Sequence, residues 1–352
     1  KNGLVKIVTG VRRCGKSYLL SKLFRDYLLS HGVQNDHIIF LALDDFGNQQ
    51  LQNPNELYNF IKSSIVDDED YFIILDEIQL VDKFEIVVNG FMHIPNADIY
   101  ITGSNSKFLS SDIITEFRGR GDEIRVYPLN FSEFYSIYGG DFDKAWVMYC
   151  NFGGMPLCLS METQEDKAKY LTSLFETTYL ADIINRNNLR GNAEIGELTD
   201  ILASSIGSLT NPLKLSNTFG SVKNVKLSAN TISAYIGYLQ DAFLVEKAIR
   251  YDIKGKKYIN TPAKYYFVDV GLRNARLAFR QQEYTHIMEN IIYNELRLRG
   301  YSVDVGVVES IAKENGISTR KKYEVDFVVN IGNRRYYIQS VYNIPDAEKM
   351  AQ

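Results

Sequence analysis

The segment that decides the fold of this chain is a short apolar strand followed by a glycine-containing loop. The strand and the loop read Val5-Lys6-Ile7-Val8-Thr9 and Gly10-Val11-Arg12-Arg13-Cys14-Gly15-Lys16-Ser17. The loop fits the pattern G-x-x-x-x-G-K-[ST], and a helix-length amphipathic segment begins directly after it. In such loops the glycines allow backbone N–H groups to surround phosphate oxygens at the positive end of the helix. The sequence therefore predicts a phosphate-binding loop.

The polar residues of this loop have expected roles. Lys16 is expected to neutralise the β- and γ-phosphates of a nucleotide, and the Ser17 hydroxyl is expected to bind Mg²⁺. The alternative is a chance match in a loop that contains Gly, Ser and Lys, but the strand before it and the helix after it favour the functional interpretation. We expect nucleotide contacts from Gly10, Val11, Arg12, Arg13, Cys14, Gly15, Lys16, Ser17 and Tyr18.

Two adjacent carboxylates end a second apolar strand, which reads Tyr71-Phe72-Ile73-Ile74-Leu75. Asp76 is expected to hold Mg²⁺ through water, and Glu77 is expected to orient and polarise an attacking water. The alternative is a pair of solvated acids at the end of a strand. The presence of the second acid favours hydrolysis over binding alone.

A third strand, Ile99-Tyr100-Ile101-Thr102, ends in the small polar residues Gly103-Ser104-Asn105-Ser106. Ligands of open α/β sheets bind at the carboxyl ends of the strands. Asn105, or Ser104 in its place, is therefore a candidate to contact the γ-phosphate or the water, and an ordinary turn is the alternative.

The composition limits the class of protein. The chain has 352 residues, 45% of them hydrophobic and 23% charged, with a formal net charge of −4. This length predicts two or three domains, and no apolar run approaches the ~20 residues that span a bilayer. Three cysteines and four histidines show no metal-binding or disulfide spacing, so we expect a soluble cytoplasmic protein. Because the sequence starts at Lys1, the removal of a targeting peptide stays an open alternative.

The predicted fold is α/β, with four segments. Alternating strands and helices predict a parallel sheet with helices on both faces over residues 1–128. Helical, aromatic sequence predicts a lid or connector over 129–200. A helix that begins at Ser228 and a following hairpin predict a winged helix over 201–272. Residues 273–352 contain a predicted helix and further predicted strands. This pattern predicts an α/β domain that resembles restriction endonucleases, and we expect the domain to be incomplete.

Residues 1–127 resemble AAA-like P-loop ATPases, on the evidence of GVRRCGKS, FIILDEIQ and ITGSNS in that order. The rest of the chain, with FRGRG, GGMP and KYYFVDVGLRN, resembles a group of bacterial and archaeal ATPases whose C-terminal half is uncharacterised. The resemblance implies ATP binding. It also implies an arginine that completes the site of a neighbouring subunit. Arg118 and Arg120 are the candidates, a solvated basic turn is the alternative, and Arg12 or Arg13 could serve instead.

Residues 211–264 contain nine lysines and arginines against three acids. A winged helix with a basic wing is a shape that binds duplex DNA, with its lysines on phosphates. We therefore predict DNA contacts at Lys254, Lys256 and Lys257. A packing module with solvated lysines is the alternative.

Glu289, Asp326 and Gln339, with Glu324 nearby, resemble the metal-binding residues of the nuclease core. That chemistry also needs a lysine to activate water, and Val341 stands in its place. We therefore expect a degenerate, inactive site unless another lysine takes that position. The overall prediction is an Mg²⁺-dependent ATPase whose nucleotide state controls assembly, with itself or another protein, or engagement of double-stranded DNA. The alternatives are an ATP-regulated metal-dependent nuclease and a non-catalytic nucleotide switch.

Overall fold

The computed structural model describes residues 3–103, 117, 119–189, 192–223, 226–281, 283–314 and 317–342. The chain divides into two compact units, Lys1–Tyr127 and Pro128–Gln352. None of the helices in these described ranges is long and apolar enough to cross a membrane.

The first unit is built on a sheet of five parallel strands. These are β1 (Val5–Thr9), β2 (Ile38–Ala42), β3 (Tyr71–Asp76), β4 (Ala97–Thr102) and β5 (Gly121–Arg125). Their order across the sheet is β2-β3-β4-β1-β5. The predicted parallel α/β sheet is confirmed, and β4 lies between the strand of the loop and the strand of the two acids.

Helices cover this sheet because successive residues of a strand point to opposite faces. Ile7, Ile73 and Ile101 belong to one buried cluster, and Val8 and Ile74 belong to another. The helices of this unit are α1 (Lys16–Tyr18), which continues through a π-helical segment (Leu19–Phe24) into α2 (Arg25–Ser30), then α3 (Pro54–Ser64) and α4 (Phe84–Phe91).

A buried ion pair joins β1 to β4. Lys6 and Asp98 are 7% and 2% exposed, and the Lys6 ammonium bonds to the Asp98 carboxylate. The Tyr100 hydroxyl donates a hydrogen bond of 3.0 Å to the same carboxylate. An unpaired charge would be costly at this depth, so the pair favours one register of β1 against β4 and thereby positions the loop that follows β1.

The second unit combines helices with a mixed five-stranded sheet. Its helices are α5 (Phe131–Tyr138), α6 (Phe142–Phe152), α7 (Pro156–Leu159), α8 (Gln164–Ser173), α9 (Ala181–Arg186), α10 (Asn192–Ser204), α11 (Pro212–Thr218), α12 (Ala229–Asp241), α13 (Val270–Arg276) and α14 (Tyr284–Leu298). Its strands are β6 (Val245–Asp252), β7 (Lys257–Phe267), β8 (Ser302–Glu314), β9 (Ile317–Ile331) and β10 (Arg334–Ile338). The strand order is β10-β9-β8-β6-β7.

The hairpin that the sequence analysis assigned to a winged helix lies in this larger sheet. The helix before it is formed as expected, since the Ser228 hydroxyl caps α12 by accepting the Thr231 N–H at 3.1 Å. However, β6 pairs in parallel with β8, so the segments predicted as separate domains on either side of residue 272 share one sheet. The winged-helix and nuclease-like assignments remain predictions.

Candidate functional site

The loop after β1 holds Lys16 at its centre. The Lys16 ammonium donates hydrogen bonds to the carbonyl oxygens of Gly10, at 2.9 Å, and Val11, at 3.1 Å. Lys16 is only 6% exposed although it opens a helix. Two backbone carbonyls of the loop therefore hold the ammonium in place.

Glycine is required at the start of this loop. Gly10 has a φ of 141°, and a Cβ at this position would lie 2.1 Å from the carbonyl oxygen of Val126. Gly15, which precedes α1, has a φ of 106°. Both conformations are rarely accessible to residues with a side chain, so the loop can close only with glycine at these positions.

The other predicted loop residues divide between the interior and the surface. Val11 and Cys14 are buried, whereas Arg13, Ser17 and Tyr18 are exposed, and Arg12 is half-buried. Burial raises the pKa of the Cys14 thiol, which donates to the Val126 carbonyl at 3.4 Å. Val11 and Cys14 can therefore offer a nucleotide mainly their backbone, while the exposed residues can offer side chains.

A buried threonine connects the two acids at the end of β3. The Thr102 hydroxyl donates to the Asp76 carboxylate and accepts the backbone N–H of Glu77 at 3.2 Å. Thr102 is fully buried and Asp76 is 5% exposed. One hydroxyl on the neighbouring strand thus fixes the positions of both acidic residues.

The loop and the acids lie at the same edge of the sheet. Thr9, Asp76 and Thr102 each end a parallel strand, and β4 separates β1 from β3. Neighbouring strands are about 4.8 Å apart, so the ends of β1 and β3 are separated by roughly 10 Å. The sheet thereby brings the predicted phosphate-binding and acidic residues to the edge where ligands of such sheets bind.

The Glu77 side chain has a partner that the sequence analysis missed. The Gln79 side-chain amide donates a hydrogen bond to the Glu77 carboxylate. Glu77 itself has a left-handed backbone, with a φ of 56°. Thr102 was also missed as a site residue, although its position at the end of the strand beside the acids was a signal in the sequence.

The candidate arginines are placed only in part. Ser104, Asn105 and Arg118 lie outside the described residues. Arg120 immediately precedes β5, and its carbonyl accepts the N–H of Val5 at 2.8 Å. Val5 begins β1, so Arg120 lies at the edge opposite to the loop, about 16 Å away along a five-residue strand. At that distance the Arg120 side chain does not reach the loop of its own chain.

Arg125 lies at the loop edge instead. It ends β5 and pairs in register with Thr9, the residue before the loop. Its positive charge acts on Cys14 of the loop, where it opposes the effect of burial on the pKa of the thiol. The place of this arginine could not be predicted from the sequence, because it depends on the parallel pairing of β5 with β1.

The residues of the predicted nuclease-like site meet in the second unit around a lysine. Lys264 of β7, 1% exposed, lies 2.9 Å from the Glu289 carboxylate and 2.6 Å from the Glu324 carboxylate. Its distance to the Asp326 carboxylate is 3.9 Å. Gln339 donates to Asp326 at 2.9 Å. Glu289, Asp326 and Gln339 thus lie in one cluster around Lys264, and their assignment to a degenerate nuclease-like site stays a prediction.

Val341 remains at the position where the nuclease chemistry needs a lysine. Lys264 does reach the acids, but its ammonium bonds directly to Glu289, one of the predicted metal-binding residues, and to the nearby Glu324. Among the described residues, no group of three or more His, Cys, Asp or Glu side chains is arranged to hold a metal ion. Lys264, Glu289 and Glu324 therefore form a charge-paired cluster.

The predicted DNA-contact residues lie at an exposed turn. Lys254, Lys256 and Lys257 are all exposed, at the turn that joins β6 to β7. The Gly255 N–H donates to Asp252 at 2.8 Å and closes this turn. Lys264, which the sequence analysis counted with these positive charges, is buried and cannot contribute to a DNA-binding surface.

One family model matches the first unit and a second matches part of the second unit. An AAA domain matches residues 2–135, and a domain of unknown function (DUF8612) matches residues 143–283. An uncharacterized protein of Haemophilus influenzae is 36% identical, over 97% of this chain and 83% of its own length. An uncharacterized protein of Methanocaldococcus jannaschii is 30% identical, over 98% of this chain and 76% of its own.

Among solved structures, a Walker-type ATPase of Pyrococcus abyssi shares the fold. The TM-score is 0.54 at 13% sequence identity, and the match covers 78% of this chain and 91% of that one. At this identity the similarity concerns the fold alone.

Proposed function

We propose that this chain, which belongs to one family with the two uncharacterized proteins and whose residues 2–135 match an AAA domain, hydrolyses ATP to ADP and phosphate. The observation that carries the proposal is the pair Asp76–Glu77, which Thr102 fixes at the same sheet edge as the Lys16 loop. A nucleotide switch without turnover would need the loop but not a positioned second acid.

The described residues fit an ATP·Mg²⁺ complex. Ser17 and Asp76 offer a hydroxyl and a carboxylate oxygen, the ligand type that Mg²⁺ prefers. Bound there, Mg²⁺ would neutralise charge on the β- and γ-phosphates. Lys16 would exchange its bonds to the Gly10 and Val11 carbonyls for bonds to phosphate oxygens. Asn105 stays a candidate for contact with the γ-phosphate.

In the proposed reaction Glu77 accepts a proton from the attacking water. The water oxygen forms a bond to the γ-phosphorus as the bond from that phosphorus to the β–γ bridging oxygen breaks, and the electron pair stays with ADP. Arg118 or Arg120 of a neighbouring subunit would stabilise the charge on the transferred group.

Binding is tested by thermal unfolding with ATP and Mg²⁺. A ligand that binds only the native state stabilises it by about 2.7 kcal/mol at a hundredfold excess over its Kd, so the melting temperature should rise. Lys16→Ala should abolish this shift. The matched control is Lys22→Ala, which changes an exposed lysine on the same helical segment. An undiminished shift in Lys16→Ala would place the phosphate site elsewhere.

We also propose that nucleotide state controls assembly or DNA engagement. The exposed lysines of the β6–β7 turn in the second unit support DNA engagement, and Arg120 of the first unit, at the edge away from its own loop, supports assembly. We do not propose nuclease activity. The direct bonds from Lys264 to Glu289 and Glu324 favour a role for that cluster in holding β7, α14 and β9 together.

A further inference from the structure

Glu77 and Gln79 form a hydrogen-bonded pair within one tight turn. A 3-10 turn, Ile78–Leu80, begins directly after Glu77, and the Leu80 N–H donates to the Glu77 carbonyl at 3.1 Å. The turn brings the Gln79 side chain back to the Glu77 carboxylate, to which its amide nitrogen donates. An ionised carboxylate only accepts hydrogen bonds, so the amide nitrogen, and not its oxygen, must face Glu77.

Two unfavourable features coincide at this pair. The left-handed backbone of Glu77, with a φ of 56°, is costly for a residue with a side chain. The side-chain oxygen of Gln79 is buried and has no hydrogen-bond partner among the described residues. Such strain and such unsatisfied groups cluster at active sites, where function maintains an arrangement that stability alone would not favour.

We propose that Gln79 is the positioning residue for Glu77 in ATP hydrolysis, an inference that rests on the proposed function. Thr102 fixes the backbone of Glu77 through its N–H, and Gln79 fixes the carboxylate. Together they hold the base in one orientation towards the attacking water, as a third group orients the base in other hydrolytic sites. Gln79 itself contacts neither water nor phosphate in this scheme.

The test compares Gln79→Leu and Gln79→Glu in single-turnover hydrolysis and in ATP binding. Gln79→Leu should lower the hydrolysis rate about tenfold or more, as expected for loss of one hydrogen bond to a charged group, and should leave ATP affinity unchanged. Gln79→Glu keeps the size of the side chain but sets a second carboxylate beside Glu77, so its rate should fall further. The matched control is Gln49→Leu, at an exposed glutamine.

A double variant shows whether Gln79 acts through Glu77. When Gln79→Leu is added to Glu77→Gln, the rate should fall no further, because the base to be positioned is already gone. A Gln79→Glu rate equal to the wild-type rate, or an additive loss in the double variant, would overturn the inference. Failure of this inference can be told apart from failure of the proposed function. If the proposed function fails, wild-type protein releases no phosphate, or Lys16→Ala leaves the hydrolysis rate unchanged.

Discussion

At the scale of single residues, the pKa of Lys264 shows most clearly the effect of neighbouring side chains. Burial lowers its pKa, but Glu289 and Glu324 raise it by more, so the pKa lies above its ordinary value and the side chain stays charged. The Tyr266 hydroxyl also donates to Glu289, at 2.7 Å. The ammonium therefore compensates the charge of the buried Glu289 and of the more exposed Glu324.

We predict that Lys264→Met destabilises the second unit by about 3–5 kcal/mol, because removal of one partner leaves a buried charge uncompensated. Chemical denaturation measures the loss. Lys257→Met, at an exposed position of the same strand, should change stability little. Adding Glu289→Gln to Lys264→Met should recover part of the loss. A Lys264→Met variant as stable as the control would contradict the role of Lys264 in charge compensation. Mg²⁺-dependent DNA cleavage that Asp326→Ala abolishes would also contradict it.

The sequence predicted those site residues that belong to a motif with a characteristic spacing. Lys16 and Ser17 belong to a recognisable loop, and Asp76 and Glu77 end a recognisable strand. Gln79 could not be predicted, because its contact with Glu77 depends on a left-handed backbone that residues with a Cβ seldom adopt. The partners of Lys264 could not be predicted either, since they lie on elements far apart in the sequence.

At the scale of elements, local sequence patterns predicted which segments form strands better than they predicted which strands pair with each other. The parallel sheet of the first unit was predicted from its alternating strands and helices, and the structure has it. The β6–β7 hairpin was visible in the sequence, but its pairing with β8 was not, because the helices α13 and α14 separate them. Likewise GGMP and VDVG, far apart in the sequence, meet where the Gly154 N–H donates to the Asp269 carboxylate at 2.7 Å.

The β6–β7 turn gives a prediction at this scale. If the chain binds duplex DNA, replacing Lys254, Lys256 and Lys257 with Ser should weaken binding and flatten the slope of log affinity against log salt by up to about 2–3, since each phosphate contact contributes about 0.9. Fluorescence anisotropy at several salt concentrations measures both changes. Serine at the exposed lysines Lys62, Lys83 and Lys144 is the control. Wild-type protein that fails to bind DNA at low salt would end the nucleic-acid proposal.

At the scale of the whole molecule, the position of Arg120 makes assembly testable. An arginine supplied by a neighbour requires that neighbour, so the wild-type rate should rise faster than linearly with protein concentration. The Arg118→Ala, Arg120→Ala double variant should bind ATP but turn over slowly. Mixing it with Lys16→Ala protein, which keeps both arginines, should restore phosphate release. An inactive mixture would argue against the arginine proposal, and so would a wild-type rate proportional to concentration.

The central claim, that the first unit hydrolyses ATP with Glu77 as the base, is tested most directly by phosphate release from ATP with Mg²⁺ in the wild type and in Glu77→Gln. Glu77→Gln should retain ATP affinity and lose turnover by roughly 10²-fold or more. Glu69→Gln, at an exposed acid of the same unit, should behave as the wild type. Wild-type protein that binds ATP without releasing phosphate, or a Glu77→Gln variant with undiminished turnover, would contradict the account.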